Sequence, residues 1–339
     1  MKYIISLVEA IMKVNSILIP TDFSEASKEA LKLANFFCKS YSSKIDLIHI
    51  VPFSLYMSES MDKLGLPFDM DKDIYPKVIE KAKTNLESLA KEFISEKYRG
   101  EIHVMVDRKP SQAIAKYANE NDYDLILMSA KGAHESTFLK GSITDKVIRK
   151  SHVPVFTVNT KINNSGFERI VAATDLSDHS LASIPLALEL AYQFKSSLEL
   201  LYINELYSSE GYGFVAPTVG VSNEDAEKLF RERIKEYFGK HKDLGLKLEE
   251  TREVYSYRII KSDGSSTISI PIRLKIIQGI SSSHEITNYA NDCADLLVLT
   301  THGRTGLSRF FMGSTAAQVV NHVDVSMLTV RPDNFKLGY

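Results

Sequence analysis

The sequence predicts an α/β protein made of two tandem domains, each a parallel sheet flanked by helices. Three observations predict it. Blocks of sequence recur in the same order along the chain. Short, continuously apolar segments such as LILMS (125–129) and LLVLT (296–300) alternate with amphipathic helical stretches; strands of that kind are buried on both faces, as in parallel sheets covered by helices. The chain also has 339 residues, more than one compact core usually holds.

The repeat is the most informative feature. Segment 16–25 reads SILIPTDFSE and segment 169–178 reads RIVAATDLSD: a short apolar strand, Thr-Asp, an apolar residue, Ser and an acid. An amphipathic run follows each, then a second strand, KIDLIHIV at 44–51 and SLELLYIN at 197–204. KYANENDYDLILMSAKG (116–132) parallels NYANDCADLLVLTTHG (288–303), and GSITDKVIRKSHVPVFTV (141–158) parallels GSTAAQVVNHVDVSMLTV (313–330). Asp22 and Asp175 lie 153 positions apart, Gly141 and Gly313 172, so the second copy carries 172 less 153, or 19, extra residues between these landmarks. The β-rich runs flanking Ser262-Asp263-Gly264-Ser265 place them in a β-hairpin near 251–277, beside the third strand of the second copy. The expected organisation is an N-terminal extension (1–14), a first domain (15–160), a polar linker KINNSGFE (161–168) and a second domain (169–333).

In the first copy, strands are expected at 16–20, 45–51, 101–106, 124–129 and 153–158, and helices at 24–41, 73–97, 111–121 and 142–150. Ser24 is the natural N-cap of the first helix. Val78, Ala82, Leu86, Leu89, Ala90 and Phe93 recur at helical spacing and are expected to face the core. Right-handed crossovers gather the loops that follow the strands on one edge, where open α/β sheets bind ligands. Segments 52–70 and 206–221 read as loops on that edge that gate a pocket, hold a partner or do nothing specific.

Composition narrows the function classes. With 44% apolar and 25% charged residues and a net charge of −2, the chain lacks the concentrated basic surface that nucleic-acid binding needs. Cys38 and Cys293 form no CxxC pair, so neither a zinc nor a redox motif is expected, and both read as small buried apolar residues. The apolar start MKYIISLVEAIMKV (1–14) is interrupted by Glu9, precedes no small-residue cleavage site and is too short to span a bilayer. It reads as a short packed helix or as an over-extended start with Met12 as initiator. No other segment reaches membrane-spanning length. Two thiols and no secretory signal fit a cytoplasmic protein.

The candidate site lies on the ligand edge. In the second copy, the fourth strand leads into Thr300-Thr301-His302-Gly303-Arg304-Thr305-Gly306, and nine residues separate Gly303 from Gly313. Gly303 and Gly306 let backbone approach a phosphate with no Cβ in the way. Gly313-Ser314-Thr315 opens the last helix, whose free N–H groups suit an anion. Arg304 either adds charge or stays solvated. By spacing alone, phosphate binding and ordinary strand-to-helix packing both remain open. No GxxxxGK[ST] and no GxGxxG is present. Asp22 and Asp175 either meet a ligand or cap the following turn. His302 packs or bonds backbone, with no catalytic partner nearby in sequence. His49 reads as a satisfied near-core histidine, and no spacing suggests a metal site built by the protein.

The blocks TDFSE and TDLSD, the stretch THGRTGLSRFFMGS and the final strand after a short helix resemble the universal stress protein family, over nearly the whole chain and twice. The resemblance implies an adenine-nucleotide alpha-hydrolase-like fold, a five-stranded parallel sheet of order 3-2-1-4-5 in each copy. ATP-binding members of the family hold ribose and phosphates with a G-x2-G-x9-G-[ST] loop. Carried onto the second copy, Asp175 bonds the ribose or the adenine edge, Ala173 and Thr174 line the base pocket, and Ile203 flanks the base. Gly303, Gly313 and Ser314 take the phosphate positions. Thr300 stands where the pattern has its first glycine, either bonding ribose or crowding it.

The first copy keeps Pro20, Thr21, Asp22, Ile50, Gly141 and Ser142 at the matching positions but departs further. Its first glycine is Ser129, and only eight residues separate Gly132 from Gly141. Ala133-His134-Glu135 replaces Arg-Thr-Gly, and Glu135 would repel phosphate. Weaker binding, or none, is expected there.

The leading expectation is an ATP-responsive stress or signalling module for ATP, ADP or AMP, with Mg²⁺ held mostly by phosphates and water. It has no obvious catalytic set and at most slow hydrolysis. The alternatives are a nucleotide-independent scaffold for a protein or lipid partner and, last, an adenylyl-transfer or hydrolase enzyme. The family pairs domains through the last strand, so 153–158 and 325–330 are expected to meet as an intramolecular pseudo-dimer, with a further homodimer left open.

Overall fold

The computed structural model describes residues 14–53, 70–130, 142–159, 166–206, 222–242, 245–263, 266–301 and 312–331. Two compact units are present, Val14–Lys161 and the chain from Ile162 onward. The expected extension 1–14 falls outside the described residues except for Val14, and most of the linker and of loops 52–70 and 206–221 falls outside them too.

In the first unit, the order is β1 (Ser16–Pro20), α1 (Glu25–Tyr41), β2 (Lys44–Pro52), α2 (Tyr75–Phe93), β3 (Arg99–Asp107), α3 (Pro110–Glu120), β4 (Leu125–Ser129), α4 (Ser142–Lys150) and β5 (Val155–Val158). All strand pairs are parallel, and they give the order 3-2-1-4-5. Ser24 caps α1 by accepting from the Ser27 amide, and Ser42 ends the helix in the left-handed region at φ 61°. The helix buries Ala30, Leu31, Ala34, Phe37 and Cys38. The Cys38 thiol, shut in the core, is pushed up to about 11 by burial. Arg99 donates from Nε to Ala90 O (3.0 Å) and Ile94 O (2.7 Å), a cation on the carbonyl end of α2. Val78 departs from expectation. It is 39% exposed, because the buried stripe of α2 runs through Tyr75, Ala82, Leu86, Leu89 and Ala90 and leaves Val78 at its margin.

The second unit repeats the plan with β6 (Arg169–Thr174), α5 (Asp178–Leu181), α6 (Ile184–Phe194), β7 (Ser197–Glu205) and α7 (Asn223–Lys240). Next come β8 (Leu246–Glu250), β9 (Ser256–Asp263), β10 (Ser266–Gly279), α8 (Ser282–Cys293), β11 (Leu296–Thr300), α9 (Ser314–His322) and β12 (Ser326–Val330). With β10 in third place, the parallel core again reads 3-2-1-4-5. The sheet does not stop at five strands. The expected hairpin is β9 with β10, the third strand itself, and β8 adds a further antiparallel strand outside β9. Tyr257, Ile259, Ile270, Ile272 and Leu274 are buried while Arg258, Arg273 and Lys275 are exposed, the one-sided alternation of antiparallel strands. The first helix differs as well. α1 runs 17 residues unbroken, whereas its counterpart splits into α5 and α6, because Pro185 has no N–H for the Leu181 carbonyl.

One clamp is built twice. Asp124 Oδ2 accepts from the amides of Asn15 (2.7 Å) and Ser16 (2.9 Å), and Asp295 Oδ2 accepts from those of Glu168 (3.0 Å) and Arg169 (2.8 Å). Each carboxylate ties the approach to its fourth strand to the start of its first. Asp295→Ala is expected to lower the stability of the second unit by about 2 kcal/mol, the scale of hydrogen bonds to a charged acceptor. Urea unfolding checks this, and a loss under about 0.5 kcal/mol, the scale of an ordinary surface substitution, contradicts it.

Candidate functional site

The edges beyond β1 and β6 are built alike. Thr21 Oγ1 accepts from the Phe23 amide (3.0 Å) and contacts Ser27 Oγ (2.8 Å); Thr174 Oγ1 does the same with the Leu176 amide (2.9 Å) and Ser180 Oγ (2.8 Å). The amide and hydroxyl of Ser24 donate to Asp22 Oδ1 at 3.0 and 2.6 Å, and those of Ser177 donate to Asp175 Oδ1 at the same two distances. These bonds hold a bulky residue in left-handed backbone, Phe23 at φ 65° and Leu176 at φ 64°. That conformation costs roughly 1–2 kcal/mol, so its recurrence in both units marks a turn the fold maintains against strain. Oδ1 of each aspartate therefore serves the turn.

The fourth strand brings the second component alongside. Val298 of β11 pairs with Ala172 of β6, and Thr300 and Thr174 are the last residues of these two neighbouring strands. Thr300 and Thr301 are buried, and the Gly313 amide donates to Thr301 O at 2.9 Å, closing the segment between them at its base. Gly313 caps α9 at φ −56°, and among the described residues the nearest atom to an added Cβ is Thr301 O at 3.6 Å, ordinary contact. Among the described residues an added side chain at Gly313 thus meets only ordinary contact, and at the start of α9 Ser314 is exposed and Thr315 half-buried. In the first unit, Thr144 of α4 makes the analogous closure by donating to Ser129 O at 3.1 Å.

His302, Gly303, Arg304, Gly132 and Gly141 lie outside the described residues, as does the side chain of Ser142. Ala173, Thr174, Ile203, Pro20, Thr21 and Ile50 are buried at or near the ends of the first and second strands, Asp175 is half-buried and Asp22 exposed. His49 is satisfied: Nδ1 lies 2.8 Å from Thr21 O and its ring packs on Phe23 at 4.4 Å. Among the described residues, no three His, Cys, Asp or Glu side chains are grouped to hold a metal, and no helix is long and apolar enough to cross a membrane.

Sequence reasoning missed Ser27 and Ser180, although the spacing Thr-Asp-x-Ser-x2-Ser was visible in both copies. It also missed Arg233, which lies 57 positions from Leu176 with no local signal. From α7, Arg233 Nε donates to Leu176 O (3.0 Å) and Nη2 to Asp178 Oδ1 (2.7 Å). Arg233 also pairs with Glu236, and Lys240 reaches Glu236 (2.7 Å) and Asp178 (3.5 Å). Burial pushes the Asp178 carboxyl up, but the Arg233 hydrogen bond and the charges of Lys240 and Arg233 outweigh it and hold the group below its ordinary value.

The profile of the universal stress protein family matches residues 13–159 and again 166–331. Universal stress protein MJ0577 of Methanocaldococcus jannaschii is 30% identical over 158 residues, covering 43% of this chain and 94% of that protein. A crystal structure of a functionally unknown protein from Pseudomonas aeruginosa PAO1 shares the fold, with a TM-score of 0.63 at 18% identity over 96% of this chain and 95% of that one. A universal stress protein from Archaeoglobus fulgidus DSM 4304 does likewise, with a TM-score of 0.60 at 20% identity over 94% and 97% of the two chains.

A depressed carboxyl contributes stability that is present above its unfolded value and lost as pH falls through its folded one. The stability gap between the wild type and Asp178→Asn is therefore expected to be full at neutral pH and to close below about pH 4. Urea titrations at stepped pH read this, and a gap that does not change with pH contradicts it.

Proposed function

The chain belongs to the universal stress protein family, matched twice along its length, and from that premise we propose that its second unit binds an adenine nucleotide, ATP or a close relative. The observation that carries the reading is the pairing of β6 with β11. Neighbouring strands in a sheet lie about 4.8 Å apart, so the Asp175 turn and the Gly313 start of α9 follow the C-terminal ends of adjacent strands. A carboxylate suits the hydroxyls of a ribose or an adenine amino edge, and a helix N-terminus suits phosphate. The Gly303-to-Gly313 spacing of the family loop supports the same assignment, with Ile203 and Ala173 as apolar neighbours of the base. Any Mg²⁺ brought by the nucleotide would be coordinated chiefly by phosphate and water oxygens.

The first unit keeps the turn but not the loop. Its glycine spacing is one residue shorter, and Glu135 stands where the second copy has Gly306. The reading therefore makes the second unit the principal site. It assigns the protein to nucleotide-responsive binding in stress or signalling rather than to turnover, since phosphoryl transfer needs a positioned nucleophile and charge-stabilising groups beyond a cradle.

Thermal unfolding with and without ATP tests it. At ATP about a hundredfold above Kd, the bound state gains about 2.7 kcal/mol, which appears as a rise in Tm. The rise is expected in the wild type and in Asp22→Ala, and is expected to vanish in Asp175→Ala and Gly313→Asp, each judged against its own unliganded Tm. No rise at millimolar ATP removes the nucleotide reading and leaves the nucleotide-independent scaffold.

A further inference from the structure

Resting on the nucleotide reading of the second unit, we infer that the added strands β8 and β9 report occupancy of the Asp175 site through Arg233 and α7. The contacts run without a break. The Asp175 carboxylate holds the amide and hydroxyl of Ser177. The residue before it, Leu176, sits at φ 64°, and Arg233 grips its carbonyl at 3.0 Å. Arg233 belongs to α7, whose other contacts grip the insertion. Tyr257 of β9 donates its hydroxyl to Glu227, and its ring packs on that of Phe230 at 5.8 Å. Arg231 and Lys235 converge on Glu250 Oε1, at the end of β8, at 3.3 and 3.2 Å. One helix therefore holds the strained turn and the two added strands.

The turn is the two-state element. A bulky residue in left-handed backbone is held there by its bonds, and a ligand that draws the Asp175 carboxylate from Ser177 changes what Arg233 is holding. The first unit shows what the turn does without the relay. Phe23 has the same backbone geometry, but Glu25, the counterpart of Asp178, pairs within its own helix with Lys28 at 2.6 Å. Between α2 and β3 there is only a short 3-10 turn, Glu96–Tyr98. Arg233, Asp178 and the two added strands thus occur together in the unit whose loop spacing matches the nucleotide pattern. Because coupling is reciprocal, a partner that engages β8 and β9 would change nucleotide affinity by the same factor. The ion pairs are partly exposed and individually weak, which puts the expected coupling at the low end, about fivefold.

Hydrogen exchange on the full chain, with and without saturating ATP, reads the relay at amides 246–263. ATP is expected to change exchange there about fivefold in the wild type. The change is expected to disappear throughout 246–263 in Arg233→Met and at β8 (246–250) in Glu250→Gln, which frees the end of β8 from Arg231 and Lys235, while both variants keep an ATP-dependent rise in Tm. Glu250→Gln lies at the far, exposed end of the chain of contacts and decides the matter if Arg233→Met fails to fold. A rise in Tm with unaltered exchange at 246–263 overturns the relay and leaves the nucleotide reading standing. A full-sized change at 246–250 that survives Glu250→Gln also overturns the proposed route. Neither a rise in Tm nor any change in exchange overturns both.

Discussion

The hydroxyl of Thr174 carries the architecture of the candidate site. It accepts from the Leu176 amide at 2.9 Å and meets Ser180 at 2.8 Å, and so holds a leucine in backbone that such a residue rarely adopts. Left-handed backbone costs roughly 1–2 kcal/mol, a hydrogen bond returns about 1 kcal/mol, and the Ser177 cap contributes about another. The turn stands because several such bonds act together. Its result is directional: the chain leaves β6, presents Asp175 at the sheet edge and enters the helical segment within three residues.

A turn with the same Thr, Asp and Ser bonds and the same left-handed residue follows β1, so the two units share one plan and their differences are what distinguish them. The first unit spends its turn locally, packing Phe23 on His49 and pairing Glu25 with Lys28. The second commits it to α7 through Arg233 and splits its first helix at Pro185. It also extends its third strand into an antiparallel ribbon whose inner face packs on that helix. One helix, α7, therefore touches both the Asp175 turn and the inserted strands, although the insertion lies far from Asp175 in sequence.

Much of this was legible in the residues. LILMS and LLVLT announce strands buried on both faces, and both are fully buried. Ser24 announces a cap and is one. At the Ser262–Ser265 turn signal, β9 and β10 pair antiparallel, Asp263 opposite Ser266. What stayed hidden depends on distance or on competition. The Arg233–Leu176 bond joins residues 57 positions apart and leaves no periodic trace. That the third strand would itself form one arm of the hairpin follows from the 14-residue length of β10, long enough to pair with β7 at one end and β9 along the other. Val78 carried the apolar character of a core residue but stood at the margin of the buried stripe, where helical phase and not hydrophobicity decides exposure. The aspartates had two open readings, ligand contact and turn capping, and the geometry gives the second to one oxygen of each.

A crystal structure of the full chain grown with ATP tests the central claim most directly. The account predicts one nucleotide per chain in the second unit, its sugar or base against Asp175 and its phosphates at the start of α9 beside Gly313. Side chains packed into that space, or a nucleotide bound only elsewhere on the chain, would contradict it.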